Sequence, residues 1–158
     1  MNTHYHELIA LDQLSEAKWF NTLDLASGYW QVTMNPDSRV KTAFCTHLGL
    51  YEWLFMPFGP CNAPATFERL MEKVLKGLVW HGVLVYIDDI IAFGSTWEGA
   101  LERLEQVLVR KRRANLKLKA KKCFLFQQEA EYLGHEVSGE GVRPLSAKIM
   151  ALKHWATL

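Results

Sequence analysis

Residues 83–93, Val-Leu-Val-Tyr-Ile-Asp-Asp-Ile-Ile-Ala-Phe, are the most apolar stretch of the chain, and two adjacent carboxylates stand at its centre. Val83–Ile87 and Ile90–Phe93 each have the β-branched and aromatic content of a strand. With only Asp88 and Asp89 between them, the two halves predict a tight hairpin with both acids at its tip. Two-residue hairpin turns favour Asn-Gly or Asp-Gly, because positive φ is needed there. Asp-Asp is a poor choice on that ground, and its like charges repel most where apolar strands exclude water. A divalent cation taken up by carboxylate oxygens answers both objections. An ordinary exposed Asp-Asp turn is the competing account, and the segment alone does not separate the two.

The rest of the chain surrounds this hairpin with both helical and extended patterns. Residues 7–18 place Leu8, Leu11 and Leu14 on a weak helical stripe. Residues 19–34 predict a strand, a small-residue break at Ala26-Ser27-Gly28, then an extended or short helical piece. Residues 40–46 and 50–56 predict a second hairpin across His47-Leu48-Gly49. Pro64 suits a first helical turn, and Phe67, Leu70, Met71, Val74, Leu75 and Leu78 follow on one face. Ser95 with Glu98 fits a capping box, opening a helix with Leu101, Leu104, Val107 and Leu108 inward. Residues 116–126 and 130–137 predict short strands, and Pro144 with Leu145, Ile149 and Leu152 predicts the start of a last helix. Strands and helices mix without βαβ alternation, so the predicted class is α+β with an antiparallel sheet.

A third acid, Asp24, lies in Trp19-Phe20-Asn21-Thr22-Leu23-Asp24-Leu25, again inside an apolar strand-like run. If its strand neighbours the 83–93 hairpin, carboxylates from two strands converge. Two metal ions bridged by such carboxylates are a known arrangement for in-line phosphoryl displacement. Asp24 alone is equally well a strand-end residue at the surface. Tyr29, following Gly28, can act as a rigid wall or, like Trp30, as a simple core aromatic. Gly134 suits either close approach of a nucleic-acid strand or a bulge.

Charge narrows little, since Lys+Arg 18 and Asp+Glu 17 nearly cancel. Local clusters are the informative part. Arg110, Lys111, Arg112, Arg113, Lys117, Lys119, Lys121 and Lys122 crowd into residues 110–122. Cations suit a helix C-terminus, so a solvated face accounts for them; phosphate-backbone contact is the sharper alternative. Cys45, Cys61 and Cys123 lack metal-ligand spacing, and reduced thiols in an intracellular protein are expected. His4, His6 and Glu7 are expected to be a solvated terminus. No secretory signal pattern and no long apolar run occur, so no membrane partner is expected. Cytoplasm and nucleus are not distinguished.

Taken in order, the segments LDLASGYWQV, KTAF, LGLYEWLFMPFG, NAPATFERLM, YIDD and EYLGHEVSGEGV make the chain resemble the reverse transcriptase of gypsy-type LTR retrotransposons. The resemblance runs from about residue 7 to the C-terminus. It implies a polymerase palm, an antiparallel sheet packed on helices, with 21–39 and 66–140 palm-like, about 1–20 and 40–65 fingers-like, and 141–158 the start of a thumb. It implies RNA-directed DNA polymerisation with two Mg²⁺ or Mn²⁺ ions, a primed RNA or DNA template and deoxynucleoside triphosphates.

Residue by residue, the resemblance makes Asp24 and Asp88 the catalytic carboxylates and metal ligands, with Asp89 a third, more structural acid. Tyr29 becomes the ring that rejects a 2′-hydroxyl, and backbone amides near Leu25, Ala26 and Ser27 meet the triphosphate. Phe58 and Gly59 contact nucleotide or template, and Tyr86 and Ile87 underlie the primer end. Tyr132, Leu133, Gly134 and His135 match a primer grip, and Lys121 or Lys122 a lysine that approaches the triphosphate.

The same resemblance places further fingers, thumb and RNase H parts outside residues 1–158, in a larger polyprotein. Little independent polymerase activity is therefore expected of the chain alone. Pro60 stands where such sequences commonly have leucine, and a proline there is expected to stiffen or displace the loop beside the nucleotide. An inactive nucleic-acid-binding remnant, or a gene fragment, is the alternative.

Overall fold

The structure, a computed structural model, describes residues 13–145. The expected helix over 7–18 and the last helix lie largely outside them, as do His4, His6 and Glu7. Within them Pro144 closes a strand.

A four-stranded antiparallel sheet organises the fold. Its strands are β1 (Trp19–Asp24), β4 (Val83–Tyr86), β5 (Asp89–Gly94) and β6 (Phe124–Gln127), in the order β4-β5-β1-β6. A hairpin of β2 (Phe44–Thr46) and β3 (Gly49–Tyr51) stands apart, and β7 (Glu129–Tyr132), β8 (His135–Ser138) and β9 (Gly141–Pro144) make a three-stranded meander. Among the described residues, the α-helices between these strands are the short α1 (Pro36–Arg39), α2 (Ala63–Val74) and α3 (Trp97–Arg113). The α+β class and the antiparallel sheet are as the sequence predicts. No helix among the described residues is long and apolar enough to cross a membrane.

The apolar run 83–93 has a packing reason. Successive strand side chains alternate between faces, and both faces here are covered. Ile90 and Ala92 join Leu23, Val83, Phe67, Met71, Leu104 and Val107 in one core beneath α2 and α3. Ile91 and Phe93 join Leu14, Phe20, Leu84, Tyr132 and Val137 in a second core on the opposite face. A strand buried on both sides must be apolar at every position.

Local chemistry differs from expectation at several points. The cap of α3 is Thr96, whose Oγ1 accepts the Gly99 N–H at 3.1 Å, one residue beyond the expected Ser95. The inward stripe of α3 is Ala100, Leu104, Val107 and Lys111, while Leu101 and Leu108 are exposed. The second expected hairpin breaks after Tyr51: Met34 and Met56 donate to Leu54 and Val32 at 2.9 and 2.8 Å, so residues 54–56 pair with 32–34 instead. Of the expected 116–126 strand only residues 124–126 lie in a strand, β6, which runs on to Gln127, and a short 3-10 turn, Ala120–Lys122, precedes it. Trp30 is 51% exposed and is not a core residue.

Candidate active site

The hairpin registers as Val83↔Ala92, Leu84↔Ile91, Val85↔Ile90 and Tyr86↔Asp89. The turn is therefore Ile87-Asp88, and Asp89 is the first residue of β5 rather than part of the tip. Packing sets this register: a one-residue slip would turn Ile90 and Ile91 to the wrong cores. The cost falls on Ile87, a β-branched residue held at φ 54. Its side chain packs against the first core, which holds it there.

β1 runs antiparallel to β5 with Asp24 opposite Asp89. Three acids thus gather at one end of the sheet, Asp24 from β1, Asp88 from the turn and Asp89 from β5. Directly opposed like charges destabilise a strand pair, and the Asp89 carboxyl registers it. Loss of surrounding water raises its pKa, Asp88 and then Asp24 raise it further, and Lys122 pulls it down. Lys122 Nζ lies 2.8 Å from Asp24 Oδ2. The three acids make a hard-oxygen donor set suited to Mg²⁺ or Mn²⁺, and an ammonium already stands against one of them. As placed, no three His, Cys, Asp or Glu side chains among the described residues enclose a single ion.

The loop after Asp24 is tied to the segment after α3. Gln31 Nε2 donates to Ala26 O at 2.8 Å and to Lys117 O at 3.0 Å, and its Oε1 accepts the Lys117 N–H at 2.7 Å. The Lys119 N–H donates to Asp24 O at 2.9 Å. The Ala26 amide donates to Lys117 O at 3.0 Å. Leu25 is buried and bridges Leu118, and Ser27 is exposed at φ 52.

Tyr29 sits on a 3-10 turn, Gly28–Gln31, with ring centroids 5.1 Å from Phe58 and 5.4 Å from Phe67. A Cβ at Gly28 would lie 2.7 Å from Phe67 Cζ, so glycine is what lets the turn settle on that ring. Burial raises the Tyr29 phenol above its usual range, and the Asp88 carboxylate adds to it. Phe58 is 64% exposed and Gly59 has φ 112, so this aromatic wall opens to solvent beside the acids.

At the expected primer grip the residues divide. Tyr132 is buried in the second core; burial pushes its phenol far up, with Asp89 and Tyr86 adding to it. Tyr86 packs partly buried on the same core. Leu133 and Gly134, at φ 50 and 76, form the two-residue turn between β7 and β8, so Gly134 is a turn glycine and not a bulge. His135 pairs with Tyr132, and its Nδ1 is 3.2 Å from Leu133 O.

Sequence patterning does not reveal the burial of two polar residues behind this site. Asn21 is fully buried: its Nδ2 donates to Ala92 O and Ala100 O at 3.3 and 3.4 Å, and its Oδ1 accepts the Phe126 N–H at 2.9 Å. An asparagine on the inward side of a strand was the available signal. Lys111, grouped by sequence with a solvated basic face, is 1% exposed, and its Nζ has no hydrogen-bond partner. Burial lowers its pKa to about 8, against the upward pull of Cys123 and Asp24.

Comparison with known proteins decides the family. The family model for "Reverse transcriptase (RNA-dependent DNA polymerase)" matches residues 2–137. The chain belongs to the reverse transcriptase family. It is 43% identical over 142 residues to the Pol polyprotein of transposon 297 from Drosophila melanogaster, covering 90% of this chain and 13% of that protein. With the Pol polyprotein of transposon gypsy it shares 34% identity, over 92% of this chain and 14% of the other. The chain therefore spans a small part of the length of these relatives. Among solved structures, the foamy viral protease-reverse transcriptase in complex with double-stranded DNA superposes with TM-score 0.84 at 30% identity, covering 94% of this chain and 26% of that one. The same viral enzyme in complex with an RNA/DNA hybrid gives TM-score 0.77 at 28% identity, covering 89% of this chain and 20% of that one. For this reverse transcriptase domain, the acid-bearing sheet end is the natural place to look for chemistry.

Proposed function

We propose that this domain adds deoxynucleotides to a primer on an RNA or DNA template, with Asp24, Asp88 and Asp89 holding two divalent ions. The observation that carries the reading is the register that sets Asp24 opposite Asp89, with Asp88 on the adjoining turn. Bound Mg²⁺ or Mn²⁺ would activate the primer oxygen and offset charge on the phosphates. The protein's own part is to hold and orient. Asp24 and Asp88 fix the ions, and Asp89 completes the negative field from the neighbouring strand. Tyr29, wedged between Phe58 and Phe67, walls off the 2′ position of the incoming sugar. Phe58 and Gly59 offer an exposed surface to nucleotide or template. Tyr86 and Ile87 support the primer end from below the turn, and Leu133, Gly134 and His135 guide the primer strand, with buried Tyr132 anchoring their hairpin.

The palm-like, fingers-like and thumb-like divisions belong to the same proposal, as do the larger polyprotein and its further parts. The fold supports it through the foamy viral likeness, since those relatives are described with nucleic-acid duplexes.

The test is Mg²⁺-dependent primer extension, by the chain alone and within the longer polyprotein, with Asp88→Asn as background. Loss of extension in the variant, with its circular dichroism unchanged, is expected. Substantial extension by Asp88→Asn would remove the carboxylate assignment. Salt-sensitive nucleic-acid binding by a wild-type protein that never extends a primer would favour a binding remnant.

A further inference from the structure

Lys122 is the cation that the fold delivers to the acids. Besides its 2.8 Å pair with Asp24 Oδ2, it feels Asp89 and Asp88 at longer range. The backbone beneath it is fixed. The Lys119 N–H donates to Asp24 O at 2.9 Å, the Lys122 N–H to Lys119 O at 2.8 Å, and the Cys123 N–H to Ala120 O at 3.1 Å. The side chain is not fixed in the same way: it is 57% exposed, against 16% for Asp24. A four-carbon stem on an anchored backbone can leave the carboxylate without disturbing a strand.

We propose that Lys122 is an exchangeable counter-ion of the acid site, holding Asp24 while no divalent ion is bound and displaced when one arrives. The inference rests on the metal-holding role proposed for Asp24, Asp88 and Asp89. An ammonium is a compact, strongly hydrated charge that regains its water on release. A divalent ion brings twice the charge and takes carboxylate oxygens as direct ligands. Lys122 holds Asp24 Oδ2, and an ion would draw on the same carboxylate, so each would weaken the other's hold. In the ion-free protein Lys122 relieves the repulsion between Asp24 and Asp89. That same relief competes with ion entry and sets a threshold concentration for it.

Mn²⁺ binding to the full 158-residue chain, read from the electron paramagnetic resonance of free Mn²⁺ at fixed ionic strength, tests this without any catalytic readout. Exposed ion pairs are weak, so Lys122→Met should bind Mn²⁺ only about twofold to fivefold tighter than wild type. Lys122→Arg, which keeps the charge, should bind no tighter than wild type. Lys121→Met, its exposed neighbour, should match wild type, and Asp24→Asn with Asp88→Asn supplies the background. Circular dichroism confirms that each variant is folded. Equal or weaker binding by Lys122→Met, or an equal gain in Lys121→Met, overturns the counter-ion role and leaves the metal site standing. Wild type and Lys122→Met both at background would overturn the metal site, and the role of Lys122 with it.

Discussion

Asp24 on β1 and Asp89 on β5 are direct partners across an antiparallel sheet, two carboxylates in one rung. The rung is held by the pairs behind it: Leu23↔Ile90 and Thr22↔Ile91 fix the register, with Leu23, Ile90 and Ile91 buried, and the acids go where the alternation puts them. The arrangement stores repulsion that a cation relieves.

Asp89→Asn should therefore stabilise the ion-free protein. The folded-state pKa of Asp89 is raised, so folding favours its protonated form. Its repulsive cost is present above that pKa and is lost as pH falls through it. Thermal melts in chelator should show the variant more stable near pH 7, by about 0.2–1 kcal/mol. The gain should vanish near pH 3, roughly below the ordinary carboxylate range. An equal difference at both pH values would mean that charge is not its source.

Tyr29→Val should admit ribonucleotides. Its ring is braced by Phe58 at 5.1 Å and Phe67 at 5.4 Å, and so cannot easily yield to a 2′-hydroxyl. A steric pocket of this kind discriminates by about 10-fold to 200-fold. The ratio of deoxynucleotide to ribonucleotide incorporation, measured in an active polyprotein context, should fall by that order. An unchanged ratio would reduce Tyr29 to a packing residue.

Lys111→Met should stabilise the domain at neutral pH by replacing a buried, unpartnered amine with an apolar group of similar length. The pKa of Lys111 drops from 10.5 to about 8 on folding, worth about 3 kcal/mol at 1.36 kcal/mol per unit. The penalty is full below pH 8 and is lost as pH rises from there to 10.5. Denaturant melts of the pair should converge toward alkaline pH. A gap that widens there would contradict the burial account.

Asn21→Ala should cost stability. It removes bonds to Ala92, Ala100 and Phe126 and strands the Phe126 N–H. About 1–3 kcal/mol is expected, together with faster hydrogen exchange at the Phe126 amide. Unchanged protection there would show that the Asn21 side chain is not what shields that amide.

The sequence by itself determined the elements whose chemistry is local and periodic. Continuous apolar runs on either side of Asp88 and Asp89 wrote a hairpin, Pro64 and the Phe67-Met71-Leu75 spacing wrote α2, and an ordered set of segments gave the family. What it could not fix was register and pairing between distant segments. Asp89 faces Asp24 and leaves the turn to Ile87 and Asp88, because two cores on opposite faces of the sheet fix each residue's side. Thr96 and not Ser95 caps α3, two residues after β5 ends at Gly94. The basic run 110–122 looks uniform in sequence. Tertiary packing buries Lys111, hands Lys122 to Asp24, and ties the segment to Gln31. Charge density is a property of the chain, but which charge meets which acid depends on contacts between distant residues, 98 positions apart for Asp24 and Lys122, and those exist only once the sheet has formed.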